Sequence, residues 1–288
     1  MKTAPPSPKY IINTFHKSKI RYEYPEDDGS VSVASAASSV VRGSNYLFEL
    51  MFYNRWDEAT ERVREKGHYG RKWKRLPQFM NCPEDSQALP IHYALSKADV
   101  PLSLIEALIF AYPESIQKRE TANRRGCLHI AIKSGVKNEI ISYLLKLHPE
   151  GARIIDGMGR VPLMYAISNG RSFSLISEIV KVCPEAVCSQ DYSGWSPLHV
   201  VAGTLPKIPV AELLLSVSES IINMTTKQGS TPLIIAQEND TSKYREDIVQ
   251  FLSKAQKSFE RNPLVKNFRE AEKSQKNLLL TFQDATFV

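Results

Sequence analysis

Four stretches of the chain place apolar residues at i, i+1, i+4 and i+5: Leu104/Ile105/Leu108/Ile109, Ile140/Ile141/Leu144/Leu145, Leu175/Ile176/Ile179/Val180 and Val210/Ala211/Leu214/Leu215. That spacing falls on one face of an α-helix, so each stretch predicts a helix with a single buried side. Three of these helices run into a Pro-Glu pair, at Pro113-Glu114, Pro149-Glu150 and Pro184-Glu185. Proline disfavours helical geometry in the residue before it, which ends the helices at Tyr112, His148 and Cys183.

A second pattern runs at the same period. LPIHYAL (89–95), CLHIAIKSG (127–135), VPLMYAISNG (161–170), SPLHVVAG (196–203) and TPLIIAQ (231–237) align on Pro90, Cys127, Pro162, Pro197 and Pro232, with spacings of 37, 35, 35 and 35. Five copies at one period define a repeat. Before the later copies stand turns: Asp156-Gly157-Met158-Gly159, Asp191-Tyr192-Ser193-Gly194 and Thr226-Lys227-Gln228-Gly229. Their glycines supply positive φ, and Asp bonds nearby backbone N–H groups. Ser196 and Thr231 then read as N-caps, with Pro162, Pro197 and Pro232 at the first helical position. These first helices are short and end near Gly135 and Gly170. The repeating unit is turn, helix, helix.

DYSGWSPLHVV (191–201) and TKQGSTPLIIA (226–236) resemble the ankyrin repeat, with its D-x-x-G-x-T-P-L-H-x-A pattern, over roughly residues 86–253. The Pro-Glu stop stands where the family usually has Gly, and is similar to the variant of ankyrin proteins in diatoms and related algae. The resemblance implies an all-α solenoid of stacked helix–turn–helix units with short β-turn fingers. Two copies depart from the pattern. The second has Arg124 in the Gly slot, with Gly126 displaced by two, so its turn must differ locally. In the fifth, polar residues 238–247 intervene before Ile248/Val249/Leu252, so its second helix is displaced or forms a degenerate cap.

Outside the repeats, 45–67 reads as a capping helix pair, with Leu47, Phe48, Met51 and Phe52 on one face and Trp56, Ala59 and Val63 on another. The expected organisation is a disordered N-terminal arm (1–44), a helical cap and connector (45–85), about five repeats with the last degenerate (86–258), and a basic helical tail (259–288).

Asp191, Ser196 and His199 have the residue types of a nucleophilic triad, yet each belongs to a repeating slot. His199 recurs as His92 and His129 before becoming Met164 and Ile234, and Asp191 recurs as Asp156. Repetition argues for structure. By the resemblance, His92, His129 and His199 stitch turn to helix, and Asp191, Gly194, Gly229, Ser196 and Thr231 shape the turns and caps. A zinc site shared between neighbouring histidines would need nitrogens about 2.0–2.1 Å from one ion, whereas stacked repeats lie about 8–10 Å apart. No phosphate loop, HExxH or dinucleotide fingerprint occurs. The expectation is a non-enzymatic chain with no cofactor and no metal.

Partner-binding slots carried over from the family fall on Asn123 and Arg125; Lys133 and Ser134; Met158 and Arg160; Ser168 and Asn169; Tyr192, Ser193 and Trp195; and Lys227, Gln228 and Ser230. Trp195 has two readings, a recognition residue or a side chain stacked on the adjacent finger near Arg160. The implied function is a protein–protein scaffold or adaptor, monomeric, binding one partner protein along the finger and first-helix groove.

Charge supplies the alternatives. Arg71, Lys72, Lys74 and Arg75 interleave with Tyr69 and Trp73 in HYGRKWKR (68–75). This segment reads as the solvated end of the cap with Trp73 on Trp56, as an import signal, or as a contact for nucleic acid or another anionic partner. A net charge of +6 is too small to imply general nucleic-acid binding, so nucleic acid is a secondary expectation. A regulatory subunit of a separate enzyme is the other alternative. No apolar run is long enough to span a membrane, residues 1–22 lack a secretory apolar core, and the four cysteines form no metal or redox spacing. An intracellular site, cytoplasm and/or nucleus, is the expectation.

Overall fold

The computed structural model describes residues 45–72, 74–75, 86–204, 207–239 and 245–262. The expected arm at 1–44, Trp73 and the tail beyond 262 lie outside the described residues.

Helices α1 (Asn45–Phe52) and α2 (Trp56–Glu65) are followed by five pairs. These are α3 (Pro90–Leu95) with α4 (Leu102–Ala111), α5 (Cys127–Ser134) with α6 (Asn138–Leu147), and α7 (Pro162–Ser168) with α8 (Phe173–Val182). Then come α9 (Pro197–Gly203) with α10 (Ile208–Val217) and α11 (Pro232–Glu238) with α12 (Arg245–Arg261). The first helix of each pair packs on the first helix of the next, from α3 through α5, α7 and α9 to α11. The second helices stack likewise from α4 to α12, with α2 packed on α4 and α1 against α3. The result is a two-layered helical solenoid.

The second helices bury the faces expected of them: Leu104, Ile105 and Leu108; Ile140, Ile141, Leu144 and Leu145; Leu175, Ile176, Ile179 and Val180; Val210, Ala211 and Leu214. First helices are buried nearly all round, and Cys127–Ile132 and Pro162–Ile167 contain no exposed residue. α5, α7 and α9 are each enclosed by their own second helix and by a first helix on either side, whereas α11 leaves Ile234, Gln237 and Glu238 exposed. Full enclosure selects small and apolar side chains at every position, which leaves little amphipathic rhythm.

The Pro-Glu stops work as the steric argument requires. Tyr112, His148 and Cys183 leave helical space at φ −148°, −141° and −139°, and the following proline opens a single 3₁₀ turn. These turns, Pro113–Gln117, Pro149–Arg153 and Pro184–Cys188, tuck Ser115-Ile116, Gly151-Ala152 and Ala186-Val187 into the core. Ser218 makes the same break at φ −152° with Glu219 in the proline slot, so the geometry survives without proline. In the last unit α12 runs unbroken from Arg245 to Arg261, so residue 258 is not an element boundary.

The second-copy turn differs by one residue. Asp156, Asp191 and Thr226 N–H groups donate to carbonyls four residues on, at Arg160, Trp195 and Ser230, whereas Glu120 N–H donates to Arg125, five on. The extra residue places Arg124 at φ 53°, where the other turns have Gly159, Gly194 and Gly229 at 81°, 80° and 82°. A left-handed non-glycine costs about 1–2 kcal/mol, partly offset by the larger unfolded-state entropy of glycine. Arg124→Gly is therefore expected to stabilise the protein by about 0.5–1 kcal/mol, read as a higher urea midpoint at unchanged slope.

Candidate functional site

Each finger is held open by a side-chain acceptor at its base, a carboxylate in three of them and a hydroxyl in the fourth. The Asp156 carboxylate accepts the N–H groups of Met158 (2.8 Å) and Arg160 (2.9 Å), and Asp191 accepts those of Ser193 (2.9 Å) and Trp195 (2.8 Å). Thr226 supplies a hydroxyl to Ser230 N–H at 3.2 Å. In the longer finger Glu120 reaches further and accepts from Ala122, Asn123 and Arg125 at 2.7, 3.0 and 3.2 Å. A longer side chain spans the longer turn.

Fingers so shaped bond to one another through one backbone rung each. Thr121, Gly157, Tyr192 and Lys227 N–H groups donate to the carbonyls of Gln87, Asn123, Met158 and Ser193, at 3.1, 2.6, 2.9 and 3.0 Å. Every rung joins residues 34 apart (121 − 87, 157 − 123, 192 − 158, 227 − 193). The ladder begins at β2 (Gln87–Ala88), which pairs antiparallel with β1 (Lys74–Arg75). Close approach constrains the finger glycines beyond their φ. A Cβ on Gly194 would lie 2.8 Å from Lys227 N and one on Gly159 2.7 Å from the Tyr192 ring, while Gly229, on the last finger, has open space.

Histidines tie fingers to helices. In His92, His129 and His199, Nδ1 accepts the backbone N–H three residues earlier, from Leu89, Gly126 and Ser196 at 3.2, 3.3 and 3.1 Å. The opposite nitrogen, Nε2, meets the carbonyls of Lys118, Arg160 and Ser230 at 3.1, 2.9 and 3.0 Å. An N–H at one nitrogen and a C=O at the other fix the neutral tautomer with hydrogen on Nε2. Each imidazole thus bridges to the next unit. Met164 replaces it with a buried apolar side chain.

This geometry disposes of the apparent triad. Ser196 Oγ does lie 2.7 Å from His199 Nδ1, but both residues are fully buried. His199 Nε2 donates to the Ser230 carbonyl, and Asp191 spends its carboxylate on backbone N–H groups. The Ser–His pair is closed to substrate, and the acid that would orient the imidazole is engaged elsewhere.

Two ion pairs with buried acids complete the spine. Arg125 Nε bonds Glu120 Oε1 at 2.9 Å, with both side chains essentially inaccessible. Arg160 Nη2 bonds Asp156 Oδ2 at 2.8 Å, and Tyr165 OH donates to the same oxygen at 2.7 Å. The Arg160 guanidinium also lies 4.8 Å from the Tyr165 ring centre. Burial works against ionisation of Asp156, but Arg160 N–H, Tyr165 OH and the guanidinium hold its carboxyl below the usual carboxylate range.

The family-derived binding slots therefore divide. Arg125 is sealed in the core and offers nothing to a partner, correcting that expectation, because its backbone N–H and its Nε both donate to the buried Glu120 carboxylate.

 Trp195 is half-buried, and a Cβ on Gly203 would meet its ring at 3.0 Å, so the indole lies across the end of α9. Its ring centre is 6.1 Å from that of His199. The indole thus packs within its own unit, while Arg160 lies over Tyr165. Asn169 is half-buried and bonds the Tyr165 carbonyl at 2.8 Å. Asn123, Ser193 and Ser230 are half-buried in the ladder. Exposed are Lys133, Lys227 and Gln228, with Met158 at 50% and Tyr192 at 57%. Met158 and Tyr192 share a rung, and the Tyr192 ring covers Gly159.

Sequence reasoning missed Glu120, which sits one place before the expected turn slot, and Ile155, exposed beside the fingers at 39%. The clue to Glu120 was the spacing of 37 between the first two copies. In the basic segment, Arg71, Lys72 and Lys74 lie over Tyr112, Tyr69 and Phe48 at 5.6, 5.7 and 5.2 Å from the ring centres. These cations brace the cap.

The family model for ankyrin repeats, in three copies, matches residues 91–182. Residues 91–182 are ankyrin repeats. The finger, rung and helix pair recur at 191–217, so the ankyrin geometry continues past the matched segment. No curated protein matches the chain.

Two measurements check the ankyrin spine. Burial lowers His92 and His129 to about 4 and lowers His199 as well, from an ordinary 6.5. Below pH 6.5 the unfolded chain therefore binds protons that the folded chain excludes, so stability is full above that pH and is lost as pH falls towards 4. The melting temperature is expected to be flat above neutrality and to drop across that window, with a shallower drop in His129→Gln. Trp195→Ala is expected to cost about 2 kcal/mol in urea unfolding and Tyr192→Ala less than about 1 kcal/mol, since only the indole packs over a helix end.

Proposed function

We propose that the chain is a non-catalytic adaptor or scaffold that holds a partner protein along its finger tips and the exposed ends of its first helices. Ankyrin repeats are protein–protein interaction elements, and a backbone ladder presents side chains from successive units at a fixed pitch. The reading rests on one observation above all. Met158 and Tyr192, both large, apolar and half-exposed or more, stand on adjacent fingers joined by a rung. The Tyr192 ring buries large area at small entropic cost, and the flexible Met158 thioether adapts to the partner's surface, which suits the pair as anchors. Lys133, Lys227 and Gln228 extend the same surface.

The proposal includes a monomeric chain working inside the cell, in cytoplasm or nucleus, with reduced thiols. Cys127 and Cys183 are buried and unpaired, in keeping with it. No described helix is long and apolar enough to cross a membrane. The repeat array is taken to run from residue 86 to the end of α12, with α1 and α2 as its cap.

A rival surface exists on the second-helix layer, where Leu147 and Val217 are exposed at 49% and 41%. Photo-crosslinking separates the two. Benzoylphenylalanine placed singly at Met158, Tyr192 or Lys227 is expected to yield a shared adduct in cells, and the same group at Leu147 or Val217 is not. Adducts confined to Leu147 and Val217 would move the binding site to the opposite face.

A further inference from the structure

Acidic and basic residues are sorted between the two layers. The fingers, first helices and the loops that follow them carry Lys118, Arg119, Arg124, Lys133, Lys207 and Lys227, all exposed, with Arg160 and Arg171 half-buried. The acids on those same elements are spent. Glu120 and Asp156 are buried in ion pairs, and Asp191 is bonded to two backbone N–H groups. Exposed acids there stand only at the two ends, at Asp99 and Glu238, among the described residues.

The second helices and 3₁₀ turns show the opposite balance. Glu106, Glu114, Glu139, Glu150, Glu185, Glu212 and Glu219 are exposed, and Glu178 is half-buried against Ser142. Up to α10 their basic residues are Lys146, Arg153 and Lys181, and Arg153 is held between Glu150 and Glu185; α12 adds Arg245, Lys254, Lys257 and Arg261 beside Glu246, Asp247 and Glu260, so the acidic excess lies on the layer before it. The net charge of the chain therefore conceals a basic face and an acidic one.

On the basic face the apolar and cationic groups interleave. Ile155 and Met158 are exposed on one finger and Tyr192 on the next. Arg119 flanks them on one side, its guanidinium 3.4 Å from the Ile155 carbonyl, with Arg124 on the same finger. Lys227 flanks them on the other, on the finger joined to that of Tyr192 by a rung. Among the described residues, no carboxylate pairs with Lys118, Arg119, Arg124 or Lys227.

From this we infer that the finger face takes an acidic protein segment, one that alternates Asp or Glu with bulky apolar side chains. The inference rests on the adaptor reading above and adds the chemistry of the partner. Carboxylates of such a segment meet Arg119, Arg124 and Lys227, and its apolar residues cover Ile155, Met158 and Tyr192. Cations without a carboxylate partner among the described residues steer an acidic partner and reject a basic one. The apolar strip between them distinguishes an acidic peptide from a bare phosphate chain.

Fluorescence anisotropy on the full chain tests this with three labelled probes: the peptide EELEEFEELEEF, its counterpart with every Glu replaced by Lys, and a single-stranded DNA of equal formal charge. The Glu peptide is expected to bind saturably at 50 mM salt and about tenfold more weakly at 200 mM. Arg119→Glu/Arg124→Glu/Lys227→Glu is expected to weaken that peptide at least tenfold and to gain binding of the Lys peptide, a gain no unfolded variant would show. Tyr192→Ala is expected to weaken the Glu peptide several-fold while leaving the melting temperature in place.

Failure of the two readings looks different. A Lys peptide that binds the parent chain as well as the Glu peptide, both lost in Tyr192→Ala, would keep the finger face and overturn its acidic preference. Glu-peptide binding that ignores the finger substitutions would overturn the face itself. Tighter DNA binding than peptide binding, or no saturable binding of any probe, would overturn the proposed partner class.

Discussion

The constraint on which this structure depends is that neighbouring fingers must approach to within one backbone hydrogen bond. A turn that leaves its own N–H groups unsatisfied cannot also spare one for its neighbour, so each turn carries an internal acceptor. Asp156, Asp191 and Thr226 supply it from the first position, and Glu120 does so in the finger that is one residue longer. With the turn satisfied from inside, one N–H is left to point along the array, and the rungs follow at a separation of 34 residues. The approach removes the space for a Cβ at Gly159 and Gly194 but not at Gly229, which has no further finger beside it. Glycine at the first two positions answers both a dihedral and a contact; at the third, only a dihedral.

The histidines follow from the same constraint. A finger brought close to a first helix presents a carbonyl that water does not reach, and a buried carbonyl needs a donor. Neutral imidazole has an acceptor and a donor on opposite sides of a rigid ring, which matches a helix N-terminal N–H on one side and the carbonyl on the other. A lysine or arginine would bring charge into the same place and need a counter-ion, as Arg125 needs Glu120. The low proton affinity of these imidazoles is the cost of that burial and the reason they make poor bases for chemistry.

The second-helix faces, the Pro stops and the N-caps were legible in the sequence because each depends on local geometry with a fixed residue signature. Asp191, Ser196 and His199 were legible as structure for a different reason, namely that they recur. What escaped was set by neighbours. Arg125, Arg160, Trp195 and Ser230 share one slot at intervals of 35, and spacing alone treats them as equivalent. Yet Arg125 is sealed against Glu120, Arg160 lies over Tyr165, and Trp195 lies across Gly203. The difference arises from residues five to eight positions away, Glu120 in the same finger and Tyr165 and Gly203 in the following helices, where no periodic signal points. Met158 and Tyr192 occupy slots whose side chains leave the ladder sideways, and their exposure follows from the rung direction rather than from their own chemistry.

Sorting of charge between the layers has a related origin. Three of the described fingers carry an acid at the base, Glu120, Asp156 and Asp191, and the fold consumes it by turning it inward to bond N–H groups or an arginine. Acids on the finger side are thereby neutralised by the architecture itself, whereas lysines and arginines at the tips have no such duty. The second helices face the reverse demand. Their 3₁₀ turns each carry an acid in the first turn, Glu114, Glu150, Glu185 and Glu219, where negative charge is favoured at a helix start. A basic finger face and an acidic back thus arise from how each layer satisfies its own backbone. The array comes to a partner already polarised, with rigid tips that lose little freedom when they are covered.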